Sequence, residues 1–255
     1  MKKLLLLLVP AFAGLVSLAP AQSAAPAPQT ATAPAVIVDA SAPIPKRGNV
    51  HFYEMHASFL KRGKEGPIGV LFLGDSITEG WRKAPDVWEK YYAKYQPANF
   101  GIGGDQTQHV IWRIEDGELD GINPKVVVLM LGTNNTARHT AAEITAANTK
   151  IVRLIREKVP GTKVLLLAIF PRGPRKAAAA TDPWEKRMEI IHAVNAELAK
   201  LDDGKNIRFL NINAGFLDAD GKIPDAIMPD QLHPNAAGYQ IWAEAMQPLL
   251  DEMMQ

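Results

Sequence analysis

The sequence predicts a single doubly wound α/β domain built on a mostly parallel sheet. Three observations point there: five short β-rich apolar runs, helical patterns alternating with them, and two runs, "VVVLML" and "VLLLAIF", that are apolar with no polar face. Parallel neighbours need crossover connections, and right-handed crossovers cover both faces of the sheet with helices, so its central strands read as continuous apolar stretches. With 255 residues, 47% hydrophobic and 22% charged, the chain can bury a sizeable core.

In chain order, residues 1–21 read as a secretory signal peptide. Lys2 and Lys3 precede an apolar stretch from Leu4 to Leu18, and Ala19-Pro20-Ala21 supplies a small-residue cleavage site. Pro10 and Gly14 break the run, which falls short of the ~20 residues of a membrane span, so no stable membrane insertion is expected after cleavage. These features predict an exported protein, periplasmic or secreted. Residues 22–45 are rich in Ala, Pro, Ser and Thr, too poor in large apolar side chains to offset the entropy of ordering, and predict a disordered tether. The folded domain is expected over residues 46–255. A short leading helix is expected around His51 to Lys61, where Phe52, Met55, Phe59 and Leu60 recur at helical spacing. Strands are expected at Ile68 to Leu73, Ala98 to Ile102, Val126 to Leu131, Val164 to Phe170 and Ile207 to Ile212. Helices are expected at Asp86 to Tyr95, Gln106 to Asp116, Ala141 to Lys158, Pro183 to Leu201 and Asn235 to Glu252. For the fourth of these, Asp182 fits an N-cap and Pro183 the first helical position.

A formal net charge of +1 gives no long-range field for nucleic acid or anionic lipid. Cysteine is absent, which removes disulfides, thiol nucleophiles and thiolate metal sites together. No two histidines have ligand-like spacing beside acidic residues, so no metal is indicated. In doubly wound sheets the ligand sits beyond the carboxyl ends of the strands. Those loops read Gly74-Asp75-Ser76-Ile77-Thr78, Gly101-Ile102-Gly103-Gly104-Asp105, Gly132-Thr133-Asn134-Asn135 and Pro171-Arg172-Gly173, with "MPDQLHPNAAG" before the last helix. "GIGGD" matches neither a P-loop nor a dinucleotide fingerprint. Thr78 stands where G-x-S-x-G needs glycine, so this is no α/β-hydrolase nucleophile elbow.

The other serines, Ser17, Ser23, Ser41 and Ser58, fall in the leader, the tether and the leading helix, which leaves Ser76 as the candidate nucleophile. A serine there is also a good helix cap. A serine hydroxyl needs a base oriented by a carboxylate. Asp230, three residues before His233 in a loop bounded by Pro229 and Pro234, has the spacing to accept the imidazole Nδ1 proton and leave Nε2 free. His51, His56, His109, His139 and His192 have no comparable carboxylate close in sequence. Oxyanion donors could come from the Gly103-Gly104 backbone and the Asn134 amide, although a tight turn and an Asx-turn explain the same residues.

Together, Gly-Asp-Ser at 74–76, "NFGIGGD" at 99–105, "GTNN" at 132–135 and "DQLHP" at 230–234 resemble the GDSL, or SGNH, hydrolases, and the blocks cover nearly all of Gly69 to Leu250. "NFGIGGDQTQHVIWRIEDGELDGINPKVVVLMLGTNN" is similar in detail to the branch of platelet-activating-factor acetylhydrolase catalytic subunits. The first block reads "GDSIT" rather than "GDSL". The resemblance implies a flavodoxin-like three-layer α/β/α sandwich with a mostly parallel five-stranded sheet and no metal or organic cofactor. It implies Ser76 as nucleophile, Asp230 and His233 completing the triad, and the Ser76 N–H, Gly104 N–H and Asn134 side chain as the oxyanion hole.

The expected activity is a serine esterase for short-chain, chiefly acetyl, esters. Export makes a carbohydrate O-acetylesterase the leading reading, with a small-molecule or glycan ester as partner and a homodimer as a possible assembly. The alternatives are a lysophospholipase, thioesterase or acetylated-lipid esterase, and an inactive glycan-binding module on the same fold. Arg172, Arg175 and Lys176 could meet an anionic substrate group, but a solvated face is the preferred reading.

Overall fold

The computed structural model describes residues 38–175 and 181–255; the expected leader and Lys176 lie outside the described residues. Five strands, β1 (Val70–Gly74), β2 (Pro97–Gly101), β3 (Val126–Met130), β4 (Lys163–Leu167) and β5 (Ile207–Leu210), form one sheet in the order β2-β1-β3-β4-β5. Every pairing is parallel. This is the flavodoxin-like order, in which connections leave in opposite directions on either side of β1 and open a crevice between β1 and β3.

Among the described residues seven α-helices cover the sheet: α1 (Val50–Arg62), α2 (Ser76–Glu79), α3 (Pro85–Tyr92), α4 (Thr107–Arg113), α5 (Ala141–Lys158), α6 (Trp184–Leu198) and α7 (Ala236–Met253). Strand alternation divides the core into two layers. Leu71, Leu73, Val127, Leu129, Val164 and Leu166 pack on the face of α1, α4, α5 and α6. Val70, Phe72, Val126, Val128, Leu165 and Leu167 pack on the face of α2, α3 and α7, where Trp81, Tyr92, Tyr239 and Trp242 are fully buried.

The expected elements are present with boundaries shifted by a few residues. The α2 turn, which begins at Ser76 itself, had no apolar periodicity to announce it. Asp182 is not an N-cap: α6 begins at Trp184 behind an uncapped Pro183, and the Asp182 carboxylate pairs with Arg172 and Arg187 instead. The folded body also starts earlier than composition suggested. Val38 to Pro45, expected in the disordered tether, lie against the domain. Ala40 is fully buried, its carbonyl accepts from Thr107 Oγ1 at 2.8 Å, Val38 O lies 2.7 Å from His139 Nε2, and Ile44 N–H donates to Gln108 O at 3.2 Å. These contacts are backbone-mediated, so a segment of small side chains makes them without a hydrophobic signature.

Candidate active site

β1 ends at Gly74, where a β-carbon would collide with the Thr78 side chain and the Met130 carbonyl. Only glycine lets the chain turn so tightly into α2 beside β3. Asp75 caps α2, its Oδ1 accepting from Ile77 N–H at 2.9 Å, and Tyr239 on α7 donates its hydroxyl to Ile77 O at 2.7 Å. Ser76 is thereby fixed at the first helical position, partly open to solvent, at the mouth of the β1/β3 crevice.

Ser76 Oγ lies 2.9 Å from His233 Nε2. His233 Nδ1 lies 2.7 Å from Asp230 Oδ2. An ionised carboxylate only accepts, so the Nδ1 proton is assigned to Asp230, and Nε2 offers its lone pair to the serine hydroxyl. The turn that makes this possible is built around Asp230 Oδ1, which accepts from Leu232 N–H at 3.2 Å and from His233 N–H at 2.8 Å. Gln231 adopts φ 61° between them; its carbonyl accepts from Gly173 N–H, and its amide donates to Ile223 O and Asp225 Oδ1. Burial alone would push the Asp230 carboxyl up, but the His233 N–H and Nδ1 bonds and the charge of Arg175 bring it below the usual range.

The loop after β2 approaches Ser76 from another direction. A β-carbon built on Gly103 would sit 4.0 Å from Ser76 Cβ. Gly104 has φ 73°, and its N–H has no hydrogen-bond partner among the described residues. Asn134, beyond β3, donates through Nδ2 to Asp105 O at 2.8 Å and reaches Asp75 Oδ2 only at 3.4 Å, while Gln106 Nε2 donates back to Asn134 O at 3.0 Å. The structure thus brings Ser76, Gly104, Asn134, Asp230 and His233 together.

Sequence reasoning missed what lies beneath them. Asp105, Arg113 and Glu118 are buried and ion-paired in series. Lys46 joins at Asp105 Oδ1, 2.7 Å away, and His56 joins at Glu118, 3.2 Å away. Burial raises the Asp105 carboxyl, with the charges of Arg113 and Lys46 opposing. His109 Nδ1 lies 3.8 Å from Asp105, but burial, with the charges of Lys46 and Arg113, lowers its imidazole to about 3, so it is neutral and accepts from Gln106 N–H. Asp75, fully buried, is pushed up to about 7, chiefly by loss of solvent and further by the charge of Asp105, against the Ile77 N–H bond. His56 does have carboxylate neighbours, Asp116 and Glu118, brought to it from 60 and 62 residues away. The basic loop after β4 is corrected in part: Arg172 is not on a solvated face but buried against Asp182, while Arg175 is half-exposed, 3.3 Å from Asp230.

A cavity of about 300 Å³ opens beside Ser76 and His233, lined also by Glu79, Gly80, Arg82 and Lys83. A larger one, about 700 Å³ and mainly apolar, lies past Gln231 among Trp184, Met188, Leu217 and Ile223. Among the described residues no group of three or more His, Asp or Glu side chains is placed to hold a metal ion.

A profile of the GDSL-like Lipase/Acylhydrolase family matches residues 72–241, a span that takes in every residue of this constellation. The chain belongs to the GDSL-like lipase/acylhydrolase family. As a GDSL-like acylhydrolase it is an ester hydrolase. It is 36% identical over 214 residues to human platelet-activating factor acetylhydrolase IB subunit alpha1, covering 83% of this chain and 89% of that protein. It is 35% identical over 209 residues to the chicken alpha2 subunit, covering 82% and 86%. Its fold is similar to a GDSL-like lipase from Bacteroides thetaiotaomicron, with a TM-score of 0.62, 20% identity and coverage of 77% and 97%. It is also similar to a carbohydrate acetylesterase family member from Sinorhizobium meliloti, with a TM-score of 0.58, 16% identity and coverage of 72% and 98%.

The expectation of an exported, periplasmic or secreted protein is overturned by these relatives. This GDSL-like acylhydrolase aligns over most of its length with platelet-activating factor acetylhydrolase IB subunits, and that similarity brings no positive signal for export. Two lysines before an apolar run are a compositional pattern, and the 1–21 segment that carries it lies outside the described residues. Among the described residues no helix is long and apolar enough to cross a membrane.

Proposed function

We propose that this hydrolase cleaves acetyl and other short-chain esters through an acyl-enzyme on Ser76. Ser76 Oγ attacks the acyl carbon while His233 Nε2 takes its proton, and Asp230 holds the resulting imidazolium. The negative charge on the former carbonyl oxygen rests on the Ser76 and Gly104 N–H groups and on the Asn134 amide, whose long 3.4 Å contact to Asp75 leaves one N–H available. His233 returns the proton to the leaving alkoxide. Water, deprotonated by the same Nε2, then attacks the acyl-enzyme and frees the carboxylic acid and Ser76. The observation that carries this reading is the unbroken Ser76–His233–Asp230 hydrogen-bond chain, at 2.9 and 2.7 Å.

The small cavity beside Ser76 supports a short acyl group, as do relatives named for acetyl hydrolysis. The glycan alcohol was argued from export and loses that footing. Glu79, Arg82 and Lys83 at the cavity favour an alcohol that is hydroxylated or anionic, properties shared by an acetylated sugar and an acetylated phospholipid headgroup. The test is hydrolysis of p-nitrophenyl esters of rising chain length by wild type and Ser76→Ala, followed by acetylated glycan and acetylated phospholipid. Rates should peak at acetyl and vanish in the variant. Rates rising with acyl length would favour a lysophospholipase or thioesterase. Absence of any turnover, with Ser76 unlabelled by a fluorophosphonate, would favour a glycan-binding module.

A further inference from the structure

Lys46 lies outside every motif of the family and on the edge of the expected tether, yet its side chain is only 11% exposed. Its ammonium group donates to Gly103 O at 2.7 Å, ion-pairs with Asp105 Oδ1 at 2.7 Å and sits 5.5 Å from the centre of the Phe52 ring. The Gly103 carbonyl and the Gly104 N–H are two ends of one planar peptide unit. Fixing the carbonyl therefore fixes the direction of the N–H. Gly104, at φ 73°, has no β-carbon to restrict that peptide, and the loop has two successive glycines, so left alone it could rotate.

We propose that Lys46 is a positioning residue for the oxyanion loop, clamping and polarising the peptide whose N–H is donated by Gly104. The bond to Gly103 O is charge-assisted, and withdrawal of electron density at the carbonyl strengthens donation at the amide end. The clamp is anchored at both ends. Asp105 is held by buried Arg113, and the segment carrying Lys46 is pinned by the Ala40 and Ile44 backbone bonds. A residue near the start of the folded body thus sets transition-state stabilisation without touching the substrate.

The inference rests on the reading of Gly104 N–H as an oxyanion donor, and the experiment separates the two. Lys46→Met should lower kcat for p-nitrophenyl acetate by about 10- to 100-fold, part of what a missing donor costs, with KM within about twofold. Affinity for a methyl trifluoromethyl ketone, whose serine adduct carries the oxyanion, should fall in parallel. Lys46→Met with Asp105→Asn, which leaves no unpaired carboxylate behind, should fold and show the same kcat loss. Lys46→Arg should recover part of it. Lys150→Met, which releases the Ser41 carbonyl of the same segment and an outer ion pair with Glu115, should leave kcat unchanged. The clamp is overturned if Lys46→Met or the double variant, folded by circular dichroism, keeps kcat and ketone affinity within about twofold of wild type. It is also overturned if Lys150→Met loses as much as Lys46→Met. An inactive, unlabelled wild type would instead overturn the reading of the site itself.

Discussion

The loop carrying Gly104 and the turn carrying Asp230 and His233 both border Ser76, but they are held in different ways. Beneath the loop, Lys46, Asp105, Arg113 and Glu118 form a chain of charges almost wholly removed from water. The turn is organised by neutral hydrogen bonds at Gln231 and by one carboxylate, Asp230, which is 39% exposed and shares its outer oxygen with a half-exposed Arg175. Donors that must not move are set in a network whose disruption leaves buried charges unpaired. The groups that pass protons stay within reach of solvent, where charge can come and go at low cost.

Changes on the turn side then cost turnover with little stability, while changes under the loop cost stability, and at Lys46 turnover as well. Ser76→Ala should remove activity by about 10⁶-fold with an unchanged unfolding midpoint. Asp230→Asn should cost about 10⁴-fold in kcat through loss of the imidazole tautomer, again with the fold intact; full activity in that variant would remove Asp230 from the mechanism. Arg113→Met should instead destabilise the protein by about 3–5 kcal/mol in denaturant melts, because Asp105 and Glu118 are left buried without it. Asn134→Ala should lower kcat by about 10²- to 10³-fold.

Asp75 gives the contrast a pH signature. Its carboxyl is pushed up to about 7 in the folded protein from an ordinary value of 3.8, so folding favours the protonated acid. That contribution is intact below about pH 4 and is lost as pH rises through about 7. Relative to Asp75→Asn, wild type should therefore lose roughly 2–4 kcal/mol across that window. Parallel stability curves would mean that Asp75 is already ionised in place. At the small end, Arg175→Ala should change stability by less than about 1 kcal/mol, since its pair with Asp230 is solvent-screened.

What the sequence made legible was local. Apolar runs ending in small polar residues marked the strand ends, and the three-residue spacing of Asp230 and His233 carried its own geometry. Lys46 and Asp105 meet across 59 positions, with a lone lysine at the end of a Pro-rich stretch as the sole trace. Arg172 sits in a Pro-Arg-Gly loop that reads as surface, and only the fold delivers Asp182 to neutralise it. Gln231 gave no hint of its left-handed backbone, because the amide contacts that hold it come from a loop with no regular structure. Long-range ion pairs and loop-on-loop packing have no periodicity, so they surface only in three dimensions.

The sequence separation of 157 between Ser76 and His233 also has a kinetic meaning. β1 pairs with strands 27 and 56 residues further along the chain, whereas bringing His233 to Ser76 closes a far longer loop, so loop-closure entropy predicts that this contact and the docking of α7 follow the sheet. Trp242 on α7 packs with its ring centre 4.9 Å from that of Trp81, so docking of α7 makes this contact too. During refolding, indole fluorescence and esterase activity should therefore return together, after the sheet has formed, so that the enzyme reports its own last step.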